Sequence, residues 1–143
     1  MSGKPLQQIL NLLPEEMVSL AKKELGHSCF PFVLHIPKLV NILEATPENL
    51  KTWLTQEEIS LYHQYKLDKR KGEYLAGRIC AKAALTDQES STTTEQLPFS
   101  ELTIVNDSSG RPVFSSHKQN LSMLDLSISH SNEYACAMIS EDL

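Results

Sequence analysis

The fold is decided by the stretch Leu124-Asp-Leu-Ser-Ile-Ser-His-Ser-Asn-Glu-Tyr-Ala-Cys-Ala-Met-Ile139. Its first half alternates apolar and polar residues as far as Ser129, which is the period of a half-buried strand. Its second half, from Tyr134 onward, is an unbroken run of apolar or small residues, typical of a strand covered on both faces. We therefore predict two strands joined at a polar tip, residues 129–132. Turns favour Ser and Asn on structural grounds alone, but such tips also commonly carry binding groups.

The composition restricts the class of protein. With 143 residues the sequence predicts one domain with a real core, and it contains no apolar run long enough to span a membrane. Three widely spaced cysteines, Cys29, Cys80 and Cys136, indicate a reducing compartment and no disulfide frame. No signal-peptide pattern is present, so we expect a cytoplasmic protein. The net charge of −5 argues against a general nucleic-acid or membrane-surface binder.

The predicted fold class is α+β, with an antiparallel sheet of three to five strands packed on a long helix. Residues 1–29 are predicted to form a helical leader packed on the domain. The main domain is predicted to span residues 30–143. Within it, residues 87–96 are rich in Ser, Thr, Gln and Glu and predict a flexible surface loop.

Capping signals place the helices ahead of the long one. Thr46 before Pro47 predicts a helix start, and Thr55 with Glu58 has the spacing of a capping box. Trp53 is predicted to anchor the core. The long helix is predicted over residues 69–85, with an apolar side and with Gly77 allowing close packing.

A stripe of cations is predicted on this long helix. Lys71, Tyr74, Arg78 and Lys82 are spaced by three, four and four residues and so share one face. The three cations in this row repel one another, so the row is stabilised by a bound anion or by facing carboxylates. A solvated basic face without a ligand is the alternative interpretation.

A second polar turn follows in the sequence. Residues 100–106 predict a strand, and Asn106-Asp-Ser-Ser-Gly110 is a turn cluster in which Gly110 supplies positive φ. Arg111 and Pro112 then open the next strand. Arg111 is thereby predicted to lie at a turn, where it is free to meet an anion.

Three segments, in this order, resemble the 4′-phosphopantetheinyl transferase superfamily. The segment from Glu73 to Ala84 is similar to the family's long helix with Arg-Phe-Ala-x-Lys-Glu-Ala. Residues 104–113 resemble its Asn-Asp-x-x-Gly-Lys-Pro turn, and residues 126–135 resemble its Ser-x-Ser-His-Ser hairpin.

The resemblance implies transfer of the phosphopantetheine arm of coenzyme A to a serine of an apo acyl or peptidyl carrier protein, with Mg²⁺ at the pyrophosphate. Phosphoryl transfer needs positioned cations more than a covalent catalyst. By analogy, Lys82 is the catalytic candidate near the transferred phosphate. The coenzyme A-binding candidates are Arg78, Arg111, Ser129, His130 and Ser131.

Two positions depart from the family pattern. The family's Lys-Glu pair is Lys82-Ala83 here, and His35 lies about where a metal-binding Asp is expected. Mg²⁺ prefers oxygen ligands, so no metal-binding residue is predicted. The larger surfactin-type transferases have two similar halves, and their N-terminal half also lacks these carboxylates. The resemblance therefore implies either such a half or a protein that pairs with a second copy or second half-domain.

Two alternatives remain beside the transferase. One is a non-catalytic relative acting as an interaction or structural domain in a synthase complex. The other is a serine hydrolase that uses Ser129 or Ser131 with His130, although adjacent residues on one tip are poorly placed for that geometry.

Overall fold

The computed structural model describes residues 29–89, 98–115, 124–131 and 133–141, and the fold is α+β as predicted. The predicted leader lies outside these ranges apart from Cys29, and so do residues 90–96 of the predicted loop. Within the described ranges, no helix is both long and apolar enough to cross a membrane. The elements, in chain order, are β1 (Cys29–His35), α1 (Ile36–Ala45), α2 (Asn49–Trp53), α3 (Gln56–Gln64), α4 (Asp68–Glu89), a 3₁₀ turn (Phe99–Glu101), β2 (Thr103–Asn106), β3 (Pro112–Ser115), β4 (Leu124–Ser131) and β5 (Tyr134–Glu141).

The strands form two antiparallel sheets. The larger has the order β1-β5-β4, so β5 is its central strand, and the smaller pairs β2 with β3. In β5, Ala135, Ala137 and Ile139 are buried, whereas the residues between them are half-buried. The prediction of cover on both faces is therefore met fully on one face and partly on the other.

The hairpin is tighter than predicted. Strand β4 continues through Ser131, which pairs with Tyr134, so residues 129–131 belong to the strand and not to a turn. The alternation holds: Leu126 is buried, while Asp125 and Ser127 are exposed.

Helix α4 covers the three-stranded sheet and contacts all of its strands. Leu75 and Ile79 are fully buried in the shared core, as the apolar pattern predicts. A Cβ added at Gly77 would lie 3.0 Å from Ile128 Cγ2, so glycine here lets the helix approach β4 closely. The helix runs from Asp68 to Glu89, so its backbone includes the first residues of the predicted loop.

The capping predictions had mixed outcomes. Thr55 and Glu58 form the predicted capping box at the start of α3, and Trp53 is buried as expected. Thr46, however, does not begin a helix: its N–H donates to Ile42 O and it ends α1. The N–H of Thr46 is used by the preceding helix, whereas its C=O accepts the N–H of Asn49 at 3.0 Å, and α2 starts at Asn49 after a turn at residues 47–48.

Candidate functional site

A buried ion pair lies at the centre of the helical layer. Lys82 is 0% exposed, and its ammonium donates to Trp53 O at 2.8 Å, Glu58 Oε1 at 2.5 Å and Phe99 O at 3.0 Å. The other carboxylate oxygen of Glu58 accepts the N–H of Ile104 at 2.9 Å. Glu58 and Lys82 thereby tie α3, α4, the 3₁₀ turn and β2 together.

For Lys82, this arrangement corresponds to the facing carboxylate that was one of the two predicted ways to compensate the basic stripe, and not to a bound anion. An ammonium has three N–H donors, and all three from Lys82 have protein acceptors. Burial lowers the pKa of Lys82, while the Glu58 carboxylate acts in the opposite direction. Lys82 therefore shares a helix face with Arg78 but does not present its charge at the protein surface.

A cavity of about 390 Å³ lies one turn earlier along α4. Its lining residues come from α3, α4, the segment between them and the end of β2: Leu61, Gln64, Tyr65, Tyr74, Arg78 and Asn106. The guanidinium of Arg78 lies 4.5 Å from the centre of the Tyr74 ring, and the Tyr65 ring lies 5.4 Å from the same ring. The cavity thus combines two aromatic rings, two amide side chains and one cation.

Two polar groups at this cavity are buried without a partner. Neither the Tyr74 hydroxyl nor Arg78 Nε forms a hydrogen bond of good geometry within the described part of the chain, although the two side chains interact with each other. Burial raises the pKa of Tyr74, partly opposed by Arg78, so the phenol stays protonated and can donate at neutral pH. Because an unsatisfied buried donor costs about 1–3 kcal/mol, both groups favour a ligand that carries acceptors.

The hairpin candidates lie on two different faces of β4. Successive strand residues point to opposite sides, and Ile128 faces α4 at Gly77, so His130 is on the helix side. His130 Nδ1 lies 3.5 Å from Glu73 Oε2 on α4. Ser129 and Ser131 are exposed on the opposite face, which separates them from His130 and argues against a serine nucleophile with that base.

The turn before β3 places Arg111 at the surface. Asp107 Oδ1 accepts the N–H of Ser109 at 2.9 Å and that of Arg111 at 3.0 Å. Gly110 has φ +88°, as predicted. These hydrogen bonds lower the pKa of Asp107, led by the one from the Ser109 hydroxyl. The Arg111 guanidinium forms an exposed ion pair with Asp125 on β4, and such a pair is weak enough to exchange for a ligand.

The structure therefore brings Arg78 to a cavity, places His130 beside Glu73 and leaves Arg111 exposed. Sequence reasoning missed the ion pair of Glu58 with Lys82, the contact of Glu73 with His130 and the place of Tyr74 in the lining of the cavity. The capping box was the available signal for Glu58. No spacing in the sequence pairs Glu73 with His130, which lies far along the chain.

The chain is similar to a known family. Residues 62–140 match the family described as "4'-phosphopantetheinyl transferase N-terminal domain". A holo-[acyl-carrier-protein] synthase from Bacillus pumilus is 31% identical over 107 residues, covering 75% of this chain and 88% of the relative. A synthase of the same name from Lactococcus lactis is 38% identical over 86 residues, covering 60% of this chain and 71% of the relative.

Solved structures share the fold. A holo-(acyl-carrier-protein) synthase from Bacillus anthracis, in complex with CoA (3′,5′-ADP), has a TM-score of 0.66 and 24% identity, covering 80% of this chain and 95% of that one. The holo-[acyl-carrier-protein] synthase from Neisseria meningitidis has a TM-score of 0.67 and 18% identity, covering 81% and 98%. At these identities the likeness shows the architecture.

Proposed function

Because the chain belongs to the 4′-phosphopantetheinyl transferase family, we propose that it binds coenzyme A and transfers phosphopantetheine to a serine of an apo carrier protein. In the reaction, the serine oxygen forms a bond to the β-phosphorus of coenzyme A. The bond from that phosphorus to the bridging oxygen breaks, 3′,5′-ADP leaves, and the serine proton passes to a base or to water. We place this activity in the cytoplasm, with an acyl carrier protein as the carrier.

One observation carries the proposal for this chain's own residues. Arg78 Nε and the Tyr74 hydroxyl are buried, lack partners among the described residues and line one cavity. Phosphate oxygens are strong acceptors for such donors, and arginine can give a phosphate two parallel hydrogen bonds. The aromatic rings beside them suit a planar nucleobase. We therefore assign the cavity to the nucleotide end of coenzyme A.

The remaining candidates take supporting roles in this proposal. His130 contributes one charge-assisted hydrogen bond to a phosphate, and Arg111 exchanges its Asp125 partner for a phosphate oxygen. Ser129 and Ser131 face the other side of β4 and would contact coenzyme A only where it extends past the strand edge. A direct contact between Lys82 and the transferred phosphate stays a prediction, and it requires the ammonium to give up one of three protein acceptors.

The Mg²⁺ that the resemblance implies does not fit the residues at the two positions concerned. Ala83 is a buried methyl group. His35 Nδ1 accepts the N–H of Lys38 at 3.3 Å, which commits that nitrogen to capping α1. Within residues 29–89, 98–115, 124–131 and 133–141, no three His, Cys, Asp or Glu residues are grouped to hold a metal.

A second candidate function rests on Ala83 and His35, the two positions at which the family pattern has carboxylates. With Ala83 and His35 in place of carboxylates, the chain would bind coenzyme A without transferring its arm and would act in a synthase complex or with a second copy or half-domain. Both functions share the nucleotide site and differ in whether the carrier is modified.

The test is calorimetric titration of the full chain with coenzyme A and, separately, with 3′,5′-ADP, each with Mg²⁺ and with a chelator. We expect both ligands to bind, because the cavity recognises their shared nucleotide end. An apo carrier protein is then added with coenzyme A and its mass is measured. A mass increase of one phosphopantetheine supports the transferase, and binding without the increase supports the second candidate. No binding of either ligand contradicts both.

A further inference from the structure

Glu73 is a carboxylate in a place where the proposed function calls for positive charge. Its side chain is only 10% exposed, and it lies on α4 directly before Tyr74. Removing a carboxylate from water is costly unless a charged or hydrogen-bonding partner compensates. A nearly buried glutamate beside a phosphate site would also repel the ligand. Its presence therefore needs a specific reason.

The reason lies in its two partners. Glu73 Oε2 is 3.5 Å from His130 Nδ1, and Glu73 Oε1 is 3.9 Å from Arg70 Nη1. Arg70 is mostly exposed, so that contact is weak. His130 is 42% exposed and approaches Glu73 with one nitrogen of the ring. The carboxylate favours a proton on Nδ1, because an acceptor facing a ring nitrogen selects the N–H form of that nitrogen.

We propose that Glu73 is a positioning residue that fixes the imidazole of His130 with Nδ1–H toward α4 and Nε2 toward the ligand phosphate. The phosphate ligand in this inference rests on the proposed function, whereas the contact between Glu73 and His130 does not depend on it. A glutamate on the helix thus acts through the histidine on β4, in the way that outer carboxylates orient functional histidines elsewhere. In the imidazolium form both ring nitrogens carry a proton, so the ring can contact Glu73 through Nδ1–H and donate from Nε2 to a phosphate oxygen.

A second histidine in the structure offers an internal reference. His35 Nδ1 accepts an N–H from the backbone of Lys38, so its neutral ring must carry the proton on Nε2. We therefore expect the two neutral rings to be opposite tautomers, with the proton on Nδ1 in His130 and on Nε2 in His35. A single nitrogen-15 spectrum of the full chain reports the ring nitrogen shifts of both residues.

The first experiment measures the ring nitrogen shifts of the labelled chain without ligand, at a pH where both rings are neutral. We expect Nδ1–H for His130 and Nε2–H for His35. In Glu73→Leu, His130 should lose its Nδ1–H preference while His35 is unchanged. An Nε2–H form of His130 in the parent, or no change in the variant, overturns the inference whether or not coenzyme A binds.

The second experiment measures the coenzyme A affinity of Glu73→Gln, of His130→Ala and of both together. Glu73→Gln should weaken binding roughly two- to fivefold, no more than His130→Ala does, and should add nothing in the His130→Ala background, because the two residues act as one unit. Glu57→Gln, which removes the same charge from an exposed site on α3, is the matched control and should leave affinity unchanged. Additive losses, or equal effects of Glu57→Gln and Glu73→Gln, overturn the positioning role. Absence of binding in the parent counts against the proposed function alone, and the spectrum still decides the role of Glu73.

Discussion

Lys82 and Arg78 are cations one turn apart on the same helix, and their surroundings are opposite. The Lys82 ammonium has three protein acceptors and no exposed surface. Arg78 Nε is also buried but has no acceptor within the described residues, and its side chain lines a cavity. The difference teaches that the charge pattern on a helix does not distinguish a cation whose donors are all satisfied within the fold from one with a buried, unsatisfied donor. The hydrogen-bond acceptors around each cation make that distinction.

The strongest test of this comparison is Lys82→Met. It leaves Glu58 buried without its cation, and we expect a loss of about 3–5 kcal/mol in the free energy of unfolding, measured by urea denaturation. The double variant Glu58→Gln/Lys82→Met should recover a large part of the loss, because no buried charge then remains. If the unfolding free energy of Lys82→Met lies within about 1 kcal/mol of the parent value, Lys82 does not have the structural role that the comparison gives it.

The next test is Arg78→Met, which keeps the length of the side chain but removes its donors. Coenzyme A affinity should fall roughly ten- to a hundredfold, corresponding to about 1.5–3 kcal/mol for a lost charged hydrogen bond. The unfolding free energy without ligand should fall by less, because Arg78 Nε has no acceptor within the described residues and the change removes mainly the contact with the Tyr74 ring. Lys51→Met removes a positive charge from an exposed site on α2 and serves as the control in the same calorimetry. Equal affinities for both variants would remove Arg78 from the site.

Tyr74→Phe sharpens the comparison because its two effects have opposite signs. The unliganded protein should gain up to about 1 kcal/mol, since an unsatisfied buried hydroxyl is removed. Affinity for coenzyme A should fall about fivefold, since that hydroxyl donates to the ligand. Tyr65→Phe, at an exposed ring on the same cavity, is the control for the stability measurement. A loss of stability in Tyr74→Phe would mean that the hydroxyl already has a partner in the free protein.

His130→Ala and Arg111→Ala extend the comparison to two exposed candidates that do not belong to the lining of the cavity. Each should weaken coenzyme A binding about threefold to fivefold, as expected for one exposed contact. The fold should tolerate both changes, because the Arg111–Asp125 pair is exposed and such pairs contribute little. Circular dichroism checks the fold and calorimetry checks the affinity. Should both variants bind as tightly as the parent, these two residues are wrongly assigned.

The smallest expected effect concerns the Asp107 turn, which presents Arg111. The folded-state pKa of Asp107 is below its ordinary value of 3.8 because the carboxylate accepts several hydrogen bonds. Its contribution to stability is therefore fully present above pH 3.8 and is lost as the pH falls through the lower folded-state value. The difference in unfolding free energy between the parent and Asp107→Asn should shrink on acidification. A difference independent of pH would show that the charge of Asp107 is irrelevant to the turn.

Local signals in the sequence were enough for most of the fold. The alternation in β4, the capping box at Thr55 and the apolar face of α4 each depend on residues close in sequence, and the structure confirms them. Thr46 was misplaced because two helices compete for one stretch of backbone. A cap residue alone does not reveal that the preceding helix ends on it.

The site was only partly predictable. Arg78 and His130 were nominated through motif resemblance, but the cavity depends on Leu61, Tyr74 and Asn106 meeting across three elements, which no local pattern encodes. The burial of Lys82 was also hidden, because lysine is rarely buried unless paired and its partner Glu58 had been interpreted only as a capping residue. Opposite faces of β4 separate His130 from its neighbouring serines, and this became visible only once the strand was known to extend through Ser131.

The position of β5 has a consequence for how the protein is made. This central strand pairs with β1, so that Cys29 lies opposite Ser140 and the partners are separated by most of the described chain. During synthesis, β1 and α4 are made before their shared neighbour β5, and the part of the apolar face of α4 that β5 covers in the folded protein has no partner in that interval. Pairing across such a span slows folding more than it weakens the final structure. A nascent chain arrested after β4 would therefore expose apolar residues of α4 to chaperones. Once β5 is synthesised, it can pair with β1 and β4 and bury those residues.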